Sequence, residues 1–228
     1  MTFKCIATGS EGNCYILTNN KREHLILDAG INIKDIKKGL NFDVENTKGC
    51  VITHCHKDHS LSASKVANFS PVWKPYESAN KRQRTHLGNF RVECFDLPHN
   101  GCDNRGFIIE SDRQKICYMT DMEYCPYDLS DKGINILVVE CNYISELVND
   151  DSPNERHKVL GHCELNTTIG IIKMCSKHLR SVFLVHASKG STMDKGKALN
   201  RIKEQIPAYI KCEFVKENTE YDISECPF

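Results

Sequence analysis

The chain of 228 residues is long enough for one substantial core. Lys plus Arg and Asp plus Glu number 30 each, so the formal net charge is zero, which excludes a globally basic nucleic-acid binder and confines any phosphate-contacting footprint to a local patch. The content of 40% apolar and 26% charged residues is that of an ordinary globular protein, and no apolar run is long enough to span a membrane.

Apolar bursts at residues 3–7, 14–18 and 24–27 predict a strand meander, with turn chemistry in Gly9-Ser-Glu-Gly-Asn13 and Asn19-Asn-Lys-Arg22. The third burst ends in Leu27-Asp28-Ala29-Gly30, an Asp at a strand exit that composition alone reads as a turn former. Residues 32–40 predict a short amphipathic helix capped by Asn32. The apolar residues 49–52 predict a buried strand, and it runs into Thr53-His54-Cys55-His56-Lys57-Asp58-His59. Four strong ligand types in six residues suit a borderline divalent ion such as zinc. The strand before them and a helix expected over 62–69 place them on a loop leaving a rigid scaffold.

A brief strand is expected at 71–73. Lys81-Arg-Gln-Arg84 reads equally as a solvated face or a phosphate-contacting patch. Residues 90–97 alternate as a strand and lead into Pro98-His99. Residues 105–110 and 115–120 predict a hairpin that ends in Asp121, and 134–139 predict a buried strand that ends in Glu140. Residues 142–154 form a polar, irregular connection, in which a cleft wall is expected. A helix is expected from Gly161-His162 to about 178, a last inner strand over 180–185 leading to His186, a closing helix over 194–206, and edge strands at 210–215 and 221–223. Absence of repeats and linkers predicts one domain over 1–228. Arg156 and Lys158 around His157, and Lys189, read as solvated charges with phosphate contact as the alternative.

Thirteen cysteines, an odd number with no Cys-x-x-Cys pair and no signal peptide at Met1-Thr-Phe-Lys-Cys5, predict a reduced, cytoplasmic chain rather than a disulfide framework. Cys5, Cys50, Cys94, Cys117, Cys175 and Cys212 sit in apolar runs as small hydrophobes, and Cys55 and Cys141 are read as packing residues too.

The His-x-His-x-Asp-His run resembles the signature of the metallo-β-lactamase superfamily. That resemblance implies an α/β fold, a four-layer αββα sandwich with a two-metal hydrolytic site on one edge. It implies His54, His56 and His99 around one ion, Asp58, His59 and His186 around the second, Asp121 bridging both, and Asp28 supporting the metal loop by hydrogen bonds. Zinc suits the histidine-rich shell, and manganese suits the Asp-containing position. A hydroxide shared by two such ions would attack phosphorus, since coordination brings the pKa of water to about 7.

Glu140 and His162 are similar to a pair in the phosphodiesterase branch, including tRNA 3′-processing endonucleases, where a Glu orients a His that protonates the leaving oxygen. The whole chain most resembles short WalJ/YycJ-type proteins, through Gly9-Ser-Glu-Gly-Asn13, Leu27-Asp-Ala-Gly30, the metal loop, Glu140-Cys-Asn142, Gly161-His162 with Asn166, and Leu184-Val-His186. Ser60-Leu-Ser-Ala63 departs from that family, which has Gly there; the departure bears on substrate approach. His99 and Asp121 are too close for the arm of tRNA-processing enzymes, and the stretch from Asp121 to His186 is too short for a β-CASP insertion. His56 stands where the flavodiiron branch has Glu.

The resemblance therefore implies a metal-dependent phosphodiesterase on nucleic acid, a DNA exonuclease, with Asp58, Glu140 and His162 catalytic. The alternatives are a phosphodiesterase of cyclic or small nucleotides, a thioester or lactone hydrolase, and a non-catalytic metal-binding module.

Overall fold

The computed structural model describes residues 1–77, 83–149, 151–152, 155 and 159–224. The first half contains β1 (Thr2–Ala7), β2 (Cys14–Thr18), β3 (His24–Leu27), α1 (Ile33–Gly39), β4 (Thr47–Val51), α2 (Lys57–Ser60), α3 (Ala63–Val66), β5 (Val72–Trp73), β6 (Arg84–Leu87) and β7 (Phe90–His99). The second contains β8 (Cys102–Ser111), β9 (Gln114–Met119), β10 (Ile136–Glu140), α4 (Leu165–Cys175), β11 (Ser181–Val185), α5 (Lys195–Gln205), β12 (Lys211–Phe214) and β13 (Thr219–Asp222).

The strands form two mixed sheets, ordered β13-β1-β2-β3-β4-β5 and β12-β11-β10-β9-β8-β7-β6. Apolar side chains fill three spaces. Phe3, Tyr15, Leu25, Phe107, Tyr118 and Phe183 pack between the sheets. Leu137, Ile172 and Ile202 join the second sheet to α4 and α5, and Ile26, Ile36 and Val66 join the first sheet to α1 and α3. Three cores between four layers give the expected αββα sandwich. Each fully buried large apolar side chain contributes roughly 1.5–3 kcal/mol. β10 is buried along its whole length and is parallel to both neighbours, which accounts for its unbroken apolar run. The two expected edge strands are edges: β12 of one sheet, β13 of the other.

Several boundaries depart from expectation. The metal-loop stretch is not loop throughout, because a single helical turn, α2, begins at Lys57 and carries Asp58 and His59. The helix expected over 62–69 shortens to Ala63–Val66. The helix expected from 161 starts at Leu165, since Glu164 caps it by accepting from Asn166 N at 2.5 Å, and His162 lies on the bend before it. β7 and β8 continue to a tight turn at Asn100-Gly101, so His99 ends a strand inside a hairpin. Asn32 caps α1 as expected, accepting from Lys34 N at 3.0 Å.

Candidate metal centre

Asp28, Asp121 and His186 follow β3, β9 and β11, and all three have left-handed backbone, with φ of +57°, +50° and +52°. Such a conformation costs a non-glycine residue about 1–3 kcal/mol and is held by its surroundings. Here it ends each strand abruptly and turns three polar side chains, one from the first sheet and two from the second, toward the same edge of the sandwich. Gly30 gives the metal loop its seat: a Cβ there would lie 1.6 Å from the Asp58 carbonyl oxygen.

His54, His56 and His99 meet as one group of nitrogen donors. His54 Nε2 lies 3.0 Å from His56 Nδ1, and His99 Nε2 lies 3.3 Å from the same atom. Asp58, His59, Asp121 and His186 form a second group. Asp121 stands between them. Its Oδ2 is 3.3 Å from His59 Nε2, 3.8 Å from His54 Nε2 and 4.0 Å from His99 Nε2, while Oδ1 is 3.4 Å from His186 Nε2. Asp58 Oδ2 lies 3.3 Å from His59 Nε2 and 3.7 Å from His186 Nε2.

The outer nitrogens of these rings are tied back. His59 Nδ1 donates to Asp28 Oδ2 at 2.7 Å, His99 Nδ1 to the Gly161 carbonyl at 2.8 Å and His186 Nδ1 to Glu140 Oε1 at 3.1 Å. Each tie turns Nε2 inward, where its lone pair meets a proton or a cation, the arrangement of metal-binding imidazoles. Buried His186 Nε2 has no hydrogen-bond partner. An orphaned imidazole nitrogen beside two carboxylates fits a cation. These two donor groups fit a binuclear centre.

The two groups differ electrostatically. Burial lowers the His54 imidazole to about 2, with neighbouring His59 adding to the effect, and burial also lowers His99, so both are neutral ligand forms. Burial opposes charge on His59 and His186 as well. Asp121 and Asp28 nevertheless raise His59 well above its ordinary value, and Asp121, Asp58 and Glu140 raise His186 to about 10. Burial would raise Asp58 and Asp121, but the imidazoles of His186 and His59 hold both below the usual carboxylate range. Protons and a cation therefore compete for the carboxylate-rich half.

Glu140, fully buried, sits beside this half. It accepts from His162 Nδ1 at 2.7 Å, Met122 N at 3.0 Å and Cys163 N at 3.1 Å. Burial opposes a charge on His162, but Glu140 and then Asp121 raise its pKa. The His162 ring stacks on His186 at 5.2 Å and lies 5.6 Å from His99. Asp121, Glu140, His162 and His186 form a third group able to hold an ion. All of the side chains expected at the site are thus brought to one edge, with His162 on a bend instead of a helix.

Several positioning residues escaped the sequence reading. Asn13 Nδ2 lies 2.9 Å from His59 Nε2, and its backbone N donates to Asp58 O at 2.7 Å. Tyr118 OH donates to Asp28 Oδ2 at 2.6 Å, Thr53 N to Asp28 Oδ1 at 2.8 Å, and Asn142 Nδ2 to His186 O at 2.8 Å. The Gly9-Ser-Glu-Gly-Asn13 and Glu140-Cys-Asn142 motifs contained the two asparagines, but nothing local marked their partners. The candidate phosphate contacts fare differently. Arg84 pairs with Glu93 at 3.0 Å and Lys189 pairs with Glu11; Lys81, Arg82, Arg156, His157 and Lys158 lie outside the described residues. Cys141 is buried as expected, whereas Cys55 is exposed and packs nowhere in the core.

No helix among the described residues is long and apolar enough to cross a membrane. The fold is shared with the metallo-beta-lactamase fold protein YhfI from Bacillus subtilis, at 13% identity over 96% of this chain and 98% of that one, TM-score 0.71. A diphosphatase from the PhnP family shares it at 12% identity, over 99% and 98% of the two chains, TM-score 0.68. Human tRNase Z, short form, shares it at 15% identity, over 98% and 99%, TM-score 0.66. No curated protein matches the sequence. Residues 25–187, well over half of the chain, match the family model described as a beta-lactamase superfamily domain. With that match, the αββα layers and two donor groups on one edge of the sandwich, the chain belongs to the beta-lactamase superfamily.

Proposed function

We propose that this chain is a single-domain, binuclear metal-dependent phosphodiesterase of the WalJ/YycJ type, acting on nucleic acid as a DNA exonuclease. In this reading His54, His56 and His99 hold one ion, Asp58, His59 and His186 the other, and Asp121 both, with zinc favoured and manganese possible at the Asp58 position. Divalent ions held there supply Lewis acidity and lower the pKa of water to about 7. Asp28 fixes the His59 ring through Nδ1.

The observation that carries the phosphodiesterase reading is the Glu140–His162 contact at 2.7 Å, beside the donor groups. Glu140 holds the proton on Nδ1 and favours the imidazolium, so His162 Nε2 is left to give a proton to a departing alkoxide. A thioester or lactone hydrolase has no use for that pair. A non-catalytic binding module has no use for it either. The diphosphatase and the tRNase among the fold relatives are compatible with phosphoester chemistry.

The test is degradation of end-labelled single- and double-stranded DNA and RNA by zinc- or manganese-loaded protein, with Asp58→Ala as the contamination control. Progressive shortening of DNA, absent in Asp58→Ala and strongly slowed in metal-replete His162→Ala, is expected. Unchanged turnover in His162→Ala would remove its leaving-group role. One observation favours a smaller substrate: Arg84 and Lys189 are engaged in ion pairs and the net charge is zero. Cleavage of a cyclic or small phosphodiester with no polymer cleaved would establish that second reading.

A further inference from the structure

The metal loop and the β7–β8 hairpin also meet at two side chains that the proposed chemistry does not use. Cys55 lies between His54 and His56, and Cys102 opens β8 just past the turn that follows His99. Their sulfurs face each other at 4.0 Å. Among the described residues Cys55 is the one exposed cysteine, and most others are buried. The segments carrying the pair are held together on both sides: His99 Nε2 is 3.3 Å from His56 Nδ1, and Arg105 N donates to Thr53 O at 3.0 Å. A disulfide needs its sulfurs at about 2.05 Å, so this pair has to close by roughly 2 Å.

We infer that Cys55 and Cys102 are a reversible modification site, which a low-molecular-weight disulfide converts to a Cys55–Cys102 bond that loosens the grip of the His54–His56–His99 group on its cation. The loosening rests on the metal-site reading above; the bond does not. The exposed Cys55 sulfur, as thiolate, attacks one sulfur of the reagent. The reagent's S–S bond breaks, a mixed disulfide forms at Cys55, and one small thiol leaves. Cys102, half-buried beside the exposed Cys55, is the resolving partner. Once deprotonated, it attacks the Cys55 sulfur and expels the second small thiol. Two protein thiols are oxidised, one reagent disulfide is reduced to two thiols, and the protons lost by the cysteines end on them. Both chain neighbours of Cys55 belong to the nitrogen group, so the closing movement is passed to His54 and His56.

The experiment treats the zinc-loaded full chain with oxidised glutathione, then alkylates, maps peptides and follows zinc transfer to a chromogenic chelator. A Cys55–Cys102 cross-link reversed by dithiothreitol is expected, with release of zinc accelerated at least tenfold. Cys102→Ser should stop at a glutathione adduct on Cys55, and Cys55→Ser should gain neither the cross-link nor the acceleration. A lasting Cys55 adduct without cross-link in the unsubstituted chain overturns the site. A cross-link with unaltered zinc release overturns the loosening. Reduced protein that holds no zinc overturns the metal reading and the loosening together, while peptide mapping still decides the bond.

Discussion

Replacing Asp28 separates folding from metal capture. The Asp28 carboxylate is fully buried and accepts from Thr53 N at 2.8 Å, Tyr118 OH at 2.6 Å and His59 Nδ1 at 2.7 Å. Asp28→Ala strands three buried donors, at about 1–3 kcal/mol each. It also places a residue less suited than Asp to left-handed backbone at φ +57°. The sum, about 3–9 kcal/mol, rivals the whole stability of a typical domain, about 5–15 kcal/mol. Asp28→Asn keeps the shape, tolerates the backbone and still accepts from Thr53 N, so a loss of only about 1–3 kcal/mol is expected. Its amide nitrogen, however, would face His59 Nδ1. That ring must then accept at Nδ1 and carry its proton on Nε2, the atom nearest Asp58 and Asp121. Zinc at the carboxylate-rich half should bind about 10–100-fold more weakly. Urea unfolding of the metal-free proteins gives the first quantity, and competition against a chelator of known affinity gives the second. Asp28→Ala within about 1 kcal/mol of the parent, or Asp28→Asn with unchanged zinc affinity, would refute this account of the carboxylate.

Gly30→Ala puts a Cβ 1.6 Å from the Asp58 carbonyl oxygen, where only backbone movement relieves the clash; a loss of about 3 kcal/mol or more, or insoluble protein, is expected by urea midpoint or expression. Tyr118→Phe removes one bond to Asp28, at 2.6 Å, and should cost about 1 kcal/mol with zinc content unchanged. Asp58→Ala should lower the zinc content from about two ions per chain to about one by elemental analysis, since one donor group keeps its three histidines. Burial pushes the Cys5, Cys175 and Cys212 thiols up to about 12. At pH 8 about one in ten thousand of each is thiolate, so iodoacetamide should spare them in folded protein, as quantitative peptide mapping would show.

How far the sequence could be read depended on the range of each signal. β2 and β3 fall where the alternation put them, and the His54–His59 cluster is visible because four donors lie within six residues. Asp28, His99, Asp121 and His186 are each unremarkable alone; only their order after successive strands selects them. The structure brings these side chains together, and their roles rest on the proposed function. Asn13, Asn142 and Tyr118 were out of reach because their partners are far along the chain, 90 residues away for Tyr118 and Asp28. The start of α4 was misplaced for a local reason: Gly161 has φ +80°, which breaks the helical path, and Glu164 then takes the cap. Likewise, the apolar neighbours that made most cysteines core residues say nothing about Cys55, whose exposure follows from its place on the metal loop and not from its sequence window.

The donors come from both sheets, and β1 pairs with β13, so the last described strand reaches back to the first. On the ribosome, His59 leaves well before His186. At about 5–20 residues per second the interval is roughly 6–25 s. During it the emerging chain displays an unenclosed run of histidines with no opposing carboxylate from the second sheet. Nothing in that run chooses among divalent ions, because choice requires fixed geometry. In the proposed reading, selection among cations therefore belongs to the finished polypeptide, in which Asp121 and His186 complete the site.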